Sequence, residues 1–363
     1  MPRHHNFSAG PALLPLSVIH ELQEALPEFK DSNIGLMELS HRSPTFGSVI
    51  ESARDRFRRL LAIPEDYHVL FLQGGASLQF YMSALNLLAP EEKASYVMTG
   101  TWSIKALKEA RRCSNSEACW EPSDGLYNHV PQPNEIQQQS DSIYTHYTTN
   151  NTIFGTQFHH IPESGRLVAD MSSDICSKPI DISRFELIYA GAQKNLGPSG
   201  VTAIILSPWA AERSRQINKQ RAGGLPSMLN YDVMISKGSM FNTPNTFGIF
   251  ALERMLAWME NLGGLEKIEI HNQKKADLLY SQLHDFWTPH AKENSRSLMN
   301  VTWRSPTAEL DSLFLSQAKE NGLQALKGHR SVGGIRASIY NSCSLESVQA
   351  LVDFMQQFVS KYG

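Results

Sequence analysis

From about residue 48 onward, the hydrophobic positions alternate between two spacings. Apolar residues at helical spacing, such as Ile50, Phe57 and Leu61, are followed by the short apolar run 69–72, which ends at a glycine pair. The same alternation continues to about residue 206. It predicts strands at 69–72, 96–98, 143–147, 167–169, 187–189 and 201–206. It predicts helices at 48–61, 78–88, 103–112 and 247–259. Strands interleaved with helices favour an α/β fold with a mostly parallel sheet that helices cover on both faces.

The pattern changes at Gly263-Gly264, a natural stop for the long helix before it. Beyond this point it predicts helices at 265–286, 310–321 and from 345 onward, and strands at 299–303 and 335–340. We therefore predict a large domain of residues 16–260 and a smaller α/β domain of residues 1–15 and 261–363. The polar, glutamine-rich segment 113–142 is interpreted as a loop without chemistry.

Composition narrows the class of protein. The 363 residues are 41% hydrophobic and carry a net charge of -3, as in an ordinary globular protein and unlike an electrostatic binder of nucleic acid. No apolar run approaches the ~18 residues of a membrane helix, and the first residues lack a signal-peptide core. The four cysteines show no CxxC spacing, so we expect reduced thiols, no metal site and a cytoplasmic location.

Several common motifs are missing from the sequence. It contains no GxGxxG after a strand, no GxxxxGK[ST], no GxSxG and no HExxH. Gly74-Gly75-Ala76-Ser77, between a predicted strand and a predicted helix, can cradle a phosphate with its backbone N–H groups. By itself this segment fits a plain strand-to-helix turn equally well.

Two ionisable residues follow predicted strands. Asp170 stands at the end of a strand, where parallel sheets bind ligands, although it could also simply cap the next segment. Lys194 lies among small residues between two apolar strands, which places its amine inside the fold. A partly desolvated lysine can form a Schiff base with a carbonyl, although a structural lysine is also possible.

Together, the phosphate cradle, the aspartate and the lysine are the parts needed to hold pyridoxal phosphate. Trp102 could stack on the cofactor ring or pack in the core. Arg42, Arg330 and Arg336 lie in polar segments at the two ends of the chain. Arginines bind carboxylate and phosphate groups, so they suggest a small multiply charged anion between the domains, with surface ion pairs as the alternative.

Several long segments carry a family resemblance. They are 5–12 (HNFSAGPA), 40–42 (SHR), 189–195 (YAGAQKN), 238–244 (GSMFNTP) and 328–341 (GHRSVGGIRASIYN). In these segments the sequence closely resembles the phosphoserine aminotransferases, which are class-V aminotransferases of fold type I that depend on pyridoxal phosphate. The resemblance runs almost end to end. Two parts of the sequence depart from the family pattern. One is Ser77, where many members have a bulkier or basic residue, and the other is segment 113–142.

The resemblance implies a role for each matching residue. Lys194 would be the Schiff-base lysine and the catalytic residue. The cofactor would also be bound by Ala76, Ser77, Trp102, Thr152, Asp170 and Gln193, and by Asn242 and Thr243 of the neighbouring subunit of a homodimer. The substrate would be bound by His41, Arg42, His329, Arg330 and Arg336, the last through its α-carboxylate.

The implied activity is transamination between glutamate and 3-phosphohydroxypyruvate in serine biosynthesis. The resemblance also implies activity on the 4-phosphohydroxythreonine couple in pyridoxine biosynthesis. Three alternatives stay open at this point. The first is another aminotransferase, or a sulfur-transferring lyase that would use Cys343. The second is an NAD-dependent dehydrogenase, although the glycine fingerprint that this class needs is missing from the sequence. The third is a binding protein without activity.

Overall fold

The computed structural model of the chain describes residues 3–136 and 139–363. Its strands are β1 (His5–Asn6), β2 (His68–Leu72), β3 (Lys93–Val97), β4 (Glu117–Trp120), β5 (Ser142–Thr148), β6 (Asn150–Asn151), β7 (Thr156–Gln157), β8 (Leu167–Asp170), β9 (Phe185–Gly191), β10 (Thr202–Leu206), β11 (Thr288–Pro289), β12 (Asn300–Arg304), β13 (Leu323–Gln324) and β14 (Ile335–Ser338). Its α-helices are α1 (Leu16–Glu24), α2 (Pro44–Leu61), α3 (Gly75–Leu87), α4 (Thr101–Ala110), α5 (Pro208–Gln220), α6 (Tyr231–Ser236), α7 (Thr246–Asn261), α8 (Leu265–Tyr280), α9 (Ala308–Glu320) and α10 (Leu345–Tyr362).

Within the described residues, the large sheet has seven strands in the order β2-β10-β9-β8-β5-β3-β4. Strand β10 runs antiparallel to both of its neighbours, and every other pairing in the sheet is parallel. Helices α2 and α7 cover one face, and α3 and α4 cover the other. The prediction of a mostly parallel sheet between helices is therefore confirmed. All strands except β10 end at the same edge of the sheet.

A smaller sheet and a separate core follow α7. Strands β11, β12 and β14 form an antiparallel sheet, which shares its core with α8, α9 and α10. Strand β1 pairs in parallel with β13, so the N-terminal segment joins the C-terminal part of the chain. Gly263 and Gly264, with φ of 95° and 83°, form the turn between α7 and α8. The division into residues 16–260 and residues 1–15 with 261–363 stays a prediction, and Met1 and Pro2 lie outside the described residues.

The structure corrects two predicted boundaries. Segment 113–142 is not a loop throughout, because β4 adds an edge strand to the sheet beside β3. An edge strand is buried on fewer sides. Glu117 and Ala118 are exposed, so the only signal is the short run 118–120 inside a polar segment. Gln137 and Gln138 of this segment lie outside the described residues. The helix predicted over 265–286 ends at Tyr280, and the chain then turns so that Leu283 and Trp287 reach the core.

Helices α1, α5 and α6 were not predicted. For α5 a signal is present, because Ser207 accepts a hydrogen bond from the N–H of Ala210 and Pro208 occupies the first helical position. None of the helices in residues 3–136 and 139–363 is both long and apolar enough to cross a membrane.

Candidate active site

A cavity of about 410 Å³ lies at the edge of the large sheet where the parallel strands end. The residues that line it are Gly74, Gly75, Ala76, Ser77, Phe80, Trp102, Thr148, Asn150, Thr152, Asp170, Ser172, Ser173, Gln193, Lys194, Ser199 and Gly200. The parallel topology brings these distant segments together, because the loops after successive parallel strands meet at one edge. All the predicted cofactor-binding residues except Asn242 and Thr243 therefore line this one cavity.

The turn between β2 and α3 forms one wall of the cavity. Gly74 has a φ of 90°, and a Cβ there would lie 2.5 Å from Cδ2 of Leu78, so the position requires glycine. Helix α3 begins at Gly75, which places the N–H groups of Ala76 and Ser77 in its first turn. Such groups lack partners within the helix and attract anions. The segment is thus a strand-to-helix turn that also faces a cavity.

Asp170 ends β8 and is only 4% exposed. Its Oδ1 accepts a hydrogen bond of 2.9 Å from the N–H of Ser172. Burial raises the pKa of the carboxyl group, although hydrogen bonds from Ser172 and the charge of Lys194 oppose that rise. Within the part of the chain that the structure describes, no cation forms an ion pair with this carboxylate. A cationic group of a ligand would therefore find a preformed partner here.

Lys194 follows β9 after two intervening residues, and its Nζ donates a hydrogen bond of 2.6 Å to Oγ1 of Thr152. Burial lowers the pKa of the amine to about 8, against the opposing effect of the Asp170 charge. The N-terminal segment passes beside this side chain, because a Cβ at Gly10 would lie 3.7 Å from Cγ of Lys194. The lysine is therefore held at the cavity with an amine that is easily made neutral.

Trp102 lies in the first turn of α4 and lines the same cavity. Its buried Nε1 has no hydrogen-bond partner among the described residues. A buried indole N–H normally has a partner. The indole contacts the core and still presents an unsatisfied donor, so core packing alone does not account for this residue.

Arg336 reaches the site from the smaller sheet. Its Nη1 donates a hydrogen bond of 3.2 Å to the backbone carbonyl of Thr152, whose side chain holds Lys194. Burial lowers the pKa of the guanidinium. In the loop before β14, the pKa of His329 is lowered by burial and by the positive charges of Arg336, Arg330 and Lys105. Arg330 and Arg336 therefore form a positive region beside the cavity, and His329 lies within it as a neutral hydrogen-bonding group.

The structure does not support the alternative in which Arg42, Arg330 and Arg336 serve as partners in surface ion pairs. The ion pairs between described residues involve other arginines, such as Arg54, Arg56 and Arg213. Arg42, Arg330 and Arg336 take part in none of them. Their guanidinium groups are thus available to an anionic ligand.

Six predicted site residues do not line the cavity and make no side-chain hydrogen bond or ion pair with a cavity residue in the described ranges, and two of them, His329 and Arg330, lie in the loop before β14. His41 and Arg42 lie in the turn before α2, and Arg42 is exposed. Asn242 and Thr243 are also exposed, although the Thr243 carbonyl accepts a hydrogen bond of 3.1 Å from Gln73, next to the glycine turn. Their roles stay predictions.

Sequence reasoning missed a buried polar chain behind the cavity. Asn150 Nδ2 donates to Oδ1 of Asn300 and to Oγ of Ser173, each at 2.8 Å. Asn300 Nδ2 in turn donates to Oγ of Ser338 at 2.9 Å and to the hydroxyl of Tyr340 at 3.1 Å. This chain links the cavity to the smaller sheet. The run of polar residues directly after β5 was a signal that could have identified Asn150.

Cys343, the candidate nucleophile of a sulfur-transferring lyase, does not fit that role. Its side chain is 3% exposed, and burial raises the pKa of its thiol to about 11. A nucleophilic cysteine needs a lowered pKa and access to its substrate.

The fold and the cavity define a class of protein. They describe an α/β protein with a ligand site at the carboxyl edge of its sheet, built on a lysine of lowered pKa, a buried carboxylate and a glycine turn. The family model "Aminotransferase class-V" matches residues 4–351. The chain belongs to the class-V aminotransferase family.

Relatives and solved structures agree with this family. A phosphoserine aminotransferase of Desulfotalea psychrophila is 49% identical over 99% of this chain and 98% of its own. The structure of the phosphoserine aminotransferase from Bacillus circulans subsp. alkalophilus matches with a TM-score of 0.94 and 43% identity, covering 99% of both chains. The pyridoxal phosphate-bound phosphoserine aminotransferase of Trichomonas vaginalis matches with a TM-score of 0.90 and 32% identity, covering 98% of this chain and 100% of its own.

Proposed function

We propose that the protein is a pyridoxal phosphate-dependent aminotransferase that converts 3-phosphohydroxypyruvate and glutamate into O-phosphoserine and 2-oxoglutarate. The observation that carries the proposal is the meeting of Lys194, Asp170 and the Gly74 turn in one cavity. The names of relatives that cover the whole chain support the substrate assignment.

The residues present fit the cofactor. Counting partners only among residues 3–136 and 139–363, the cavity offers an unsatisfied Trp102 Nε1 and a buried carboxylate without an ion pair, together with the first turn of α3. Ala76, Ser77 and Gln193 would hold the phosphate, Asp170 would pair with the protonated ring nitrogen, and Trp102 would stack on the ring. When bound, the cofactor supplies an electron-withdrawing ring that stabilises negative charge at the substrate Cα and carries the amino group between the two substrates.

Lys194 Nζ moves the proton. With a pKa of about 8, a useful fraction of the amine is neutral near pH 7 and can accept a proton from the substrate Cα. The hydroxyl of Thr152, 2.6 Å away, orients Nζ and accepts a hydrogen bond from it. The same nitrogen, once protonated, would deliver this proton to the C4′ carbon of the cofactor. One residue thus acts as base and acid in turn.

Arg336 binds the α-carboxylate that both amino acids share. Its hydrogen bond to the Thr152 carbonyl fixes the guanidinium beside Lys194, so a bound carboxylate directs Cα toward Nζ. His41, Arg42, His329 and Arg330 would receive the distal group, which is a phosphate in one substrate and a carboxylate in the other. Arginine and histidine donors can bind either anion.

The working protein in this proposal is a homodimer in which Asn242 and Thr243 reach the neighbouring subunit's cofactor. Both residues are exposed in the single chain, and the adjoining Phe241 is 40% exposed. Within the single chain this segment contacts Gln73, next to the glycine turn of the same chain, and its contact with the neighbouring subunit is what the proposal adds. The cytoplasmic location and the reaction with the 4-phosphohydroxythreonine couple stay predictions.

The test is the visible spectrum of the purified protein with pyridoxal phosphate. We expect a yellow absorption band that glutamate bleaches and 3-phosphohydroxypyruvate restores. A protein that stays colourless would contradict the cofactor assignment. A band that glutamate bleaches but the phosphorylated keto acid does not restore would contradict the substrate assignment alone.

A further inference from the structure

Lys105 lies at the rim of the cavity, one turn of α4 after Trp102. Its Nζ lies 4.6 Å from the centroid of the Trp102 ring, and the ring itself lines the cavity. The side chain is exposed, and it forms no ion pair with any carboxylate in residues 3–136 and 139–363. A contact with an indole ring fixes the position of a cation without neutralising its charge, so the charge remains available to an anionic ligand.

The loop that carries His329 and Arg330 lies against the same rim. Val332 forms an apolar cluster with Ile153 and Phe154, and Trp102 packs against that cluster. The N–H of Val332 donates a hydrogen bond of 2.9 Å to the carbonyl of His329. The loop is therefore anchored directly beside the ring that holds Lys105. In agreement, the charge of Lys105 contributes to the lowered pKa of His329.

A residue of segment 113–142 also packs against the apolar cluster of Ile153, Phe154 and Val332. The ring of Tyr127 lies 5.2 Å from that of Phe154 and packs on the same cluster. The Tyr127 hydroxyl donates a hydrogen bond of 2.6 Å to Glu121, which anchors it from the other side. The segment without predicted chemistry thus helps to hold Val332, and with it the His329 loop, in place.

We propose that Lys105 is a specificity-determining residue that contributes positive charge to the binding of the substrate's distal anion and favours a phosphate over a carboxylate. This inference rests on the proposed function. The physical reason is that electrostatic attraction grows with the charge of the ligand. A phosphate monoester carries about -1.5 to -2 near pH 7, whereas the side-chain carboxylate of glutamate carries a single charge.

The test compares two half-reactions in the cofactor-loaded protein. Single-turnover bleaching of the cofactor band at pH 8 gives an apparent Kd and a maximal rate for O-phosphoserine and for glutamate. For Lys105→Met, which keeps an apolar stem on Trp102, we expect the Kd to rise about twofold for glutamate and about fourfold for O-phosphoserine. The maximal rates should stay unchanged, because Lys105 does not reach the reacting atoms.

Two controls separate charge from packing. Lys105→Arg keeps the positive charge and should therefore keep the preference for O-phosphoserine. Added salt should reduce the difference in Kd between Lys105→Met and the natural protein. Lys108→Met changes an exposed lysine of the same helix and should leave both Kd values unchanged.

Equal losses for the two substrates, no loss, or failure of Lys105→Arg to keep the preference would each overturn the proposal for Lys105. A natural protein that does not react with O-phosphoserine would overturn the proposed function as well. The two failures are therefore distinguishable, since only the second is seen without any substitution.

Discussion

The two sides of the cavity are built differently. On the cofactor side, Asp170 accepts a hydrogen bond of 2.9 Å from Ser172, and Lys194 donates one of 2.6 Å to Thr152. On the substrate side, Arg42 and Lys105 are exposed and form no ion pair within the described part of the chain. Asp170 and Lys194 are therefore preorganised by contacts within this chain, whereas the charges on the substrate side remain free.

This difference indicates how each side works. Groups that act on reacting atoms must be held in position before the substrate arrives. Groups that accept two different anions must remain able to pair with either one. We therefore expect substitutions on the cofactor side to slow the reaction strongly and substitutions at the rim to change substrate affinity.

The largest effect is expected at Lys194. Lys194→Ala removes the proton carrier and should lower the rate of the glutamate half-reaction by about 10³-fold or more, because general acid–base catalysis contributes about 10²–10⁴-fold. Stopped-flow absorbance of the cofactor measures this rate. Lys319→Ala, on an exposed face of α9, is the matched control and should react normally. Normal turnover by Lys194→Ala would refute the assignment.

Asp170→Asn should lower the same rate by about 10²-fold, since the amide cannot stabilise a protonated ring nitrogen. The amide oxygen can still accept the hydrogen bond from Ser172, so the melting temperature of the cofactor-free protein should not fall. A rate loss accompanied by a lower melting temperature would show a structural role for Asp170 instead.

Arg336→Ala should raise the apparent Kd for glutamate and for O-phosphoserine alike, by about 10- to 100-fold, because hydrogen bonds to charged groups contribute about 1.5–3 kcal/mol. The measurement is the substrate dependence of each half-reaction. An effect confined to O-phosphoserine would place Arg336 with the distal anion and would contradict its role at the α-carboxylate.

The smallest expected effect concerns pH. Only the neutral amine of Lys194 reacts with an aldehyde, and the pKa of that amine is lowered to about 8. Uptake of pyridoxal phosphate by the cofactor-free protein should therefore quicken about tenfold per pH unit below pH 8 and level off above it. Thr152→Val removes an acceptor that favours the charged amine, so it should shift this profile to lower pH. A rate that still rises through pH 10 would indicate an ordinary lysine.

Much of the cofactor side could be predicted from the sequence. Gly74, Asp170 and Lys194 each follow an apolar run, and the loops after parallel strands meet at one edge of a sheet. Arg336 was also identified as an anion-binding candidate from its polar, glycine-containing segment, but its role at the α-carboxylate came only from the family resemblance. Ser172, Asn150 and Lys105 were not identified, because nothing in their own segments shows which distant residues they contact.

The sequence by itself determined the alternation of strands and helices, since hydrophobic spacing is a local property that reflects which face of each element is buried. Pairing between distant segments was decided only in the tertiary structure. It joined β1 to β13, turned β10 antiparallel within the sheet, and added β4 at the edge. It also brought Arg336 of β14 to the carbonyl of Thr152, a contact between residues 184 positions apart. Such contacts depend on packing and hydrogen bonds over long separations, which no local pattern of side chains records.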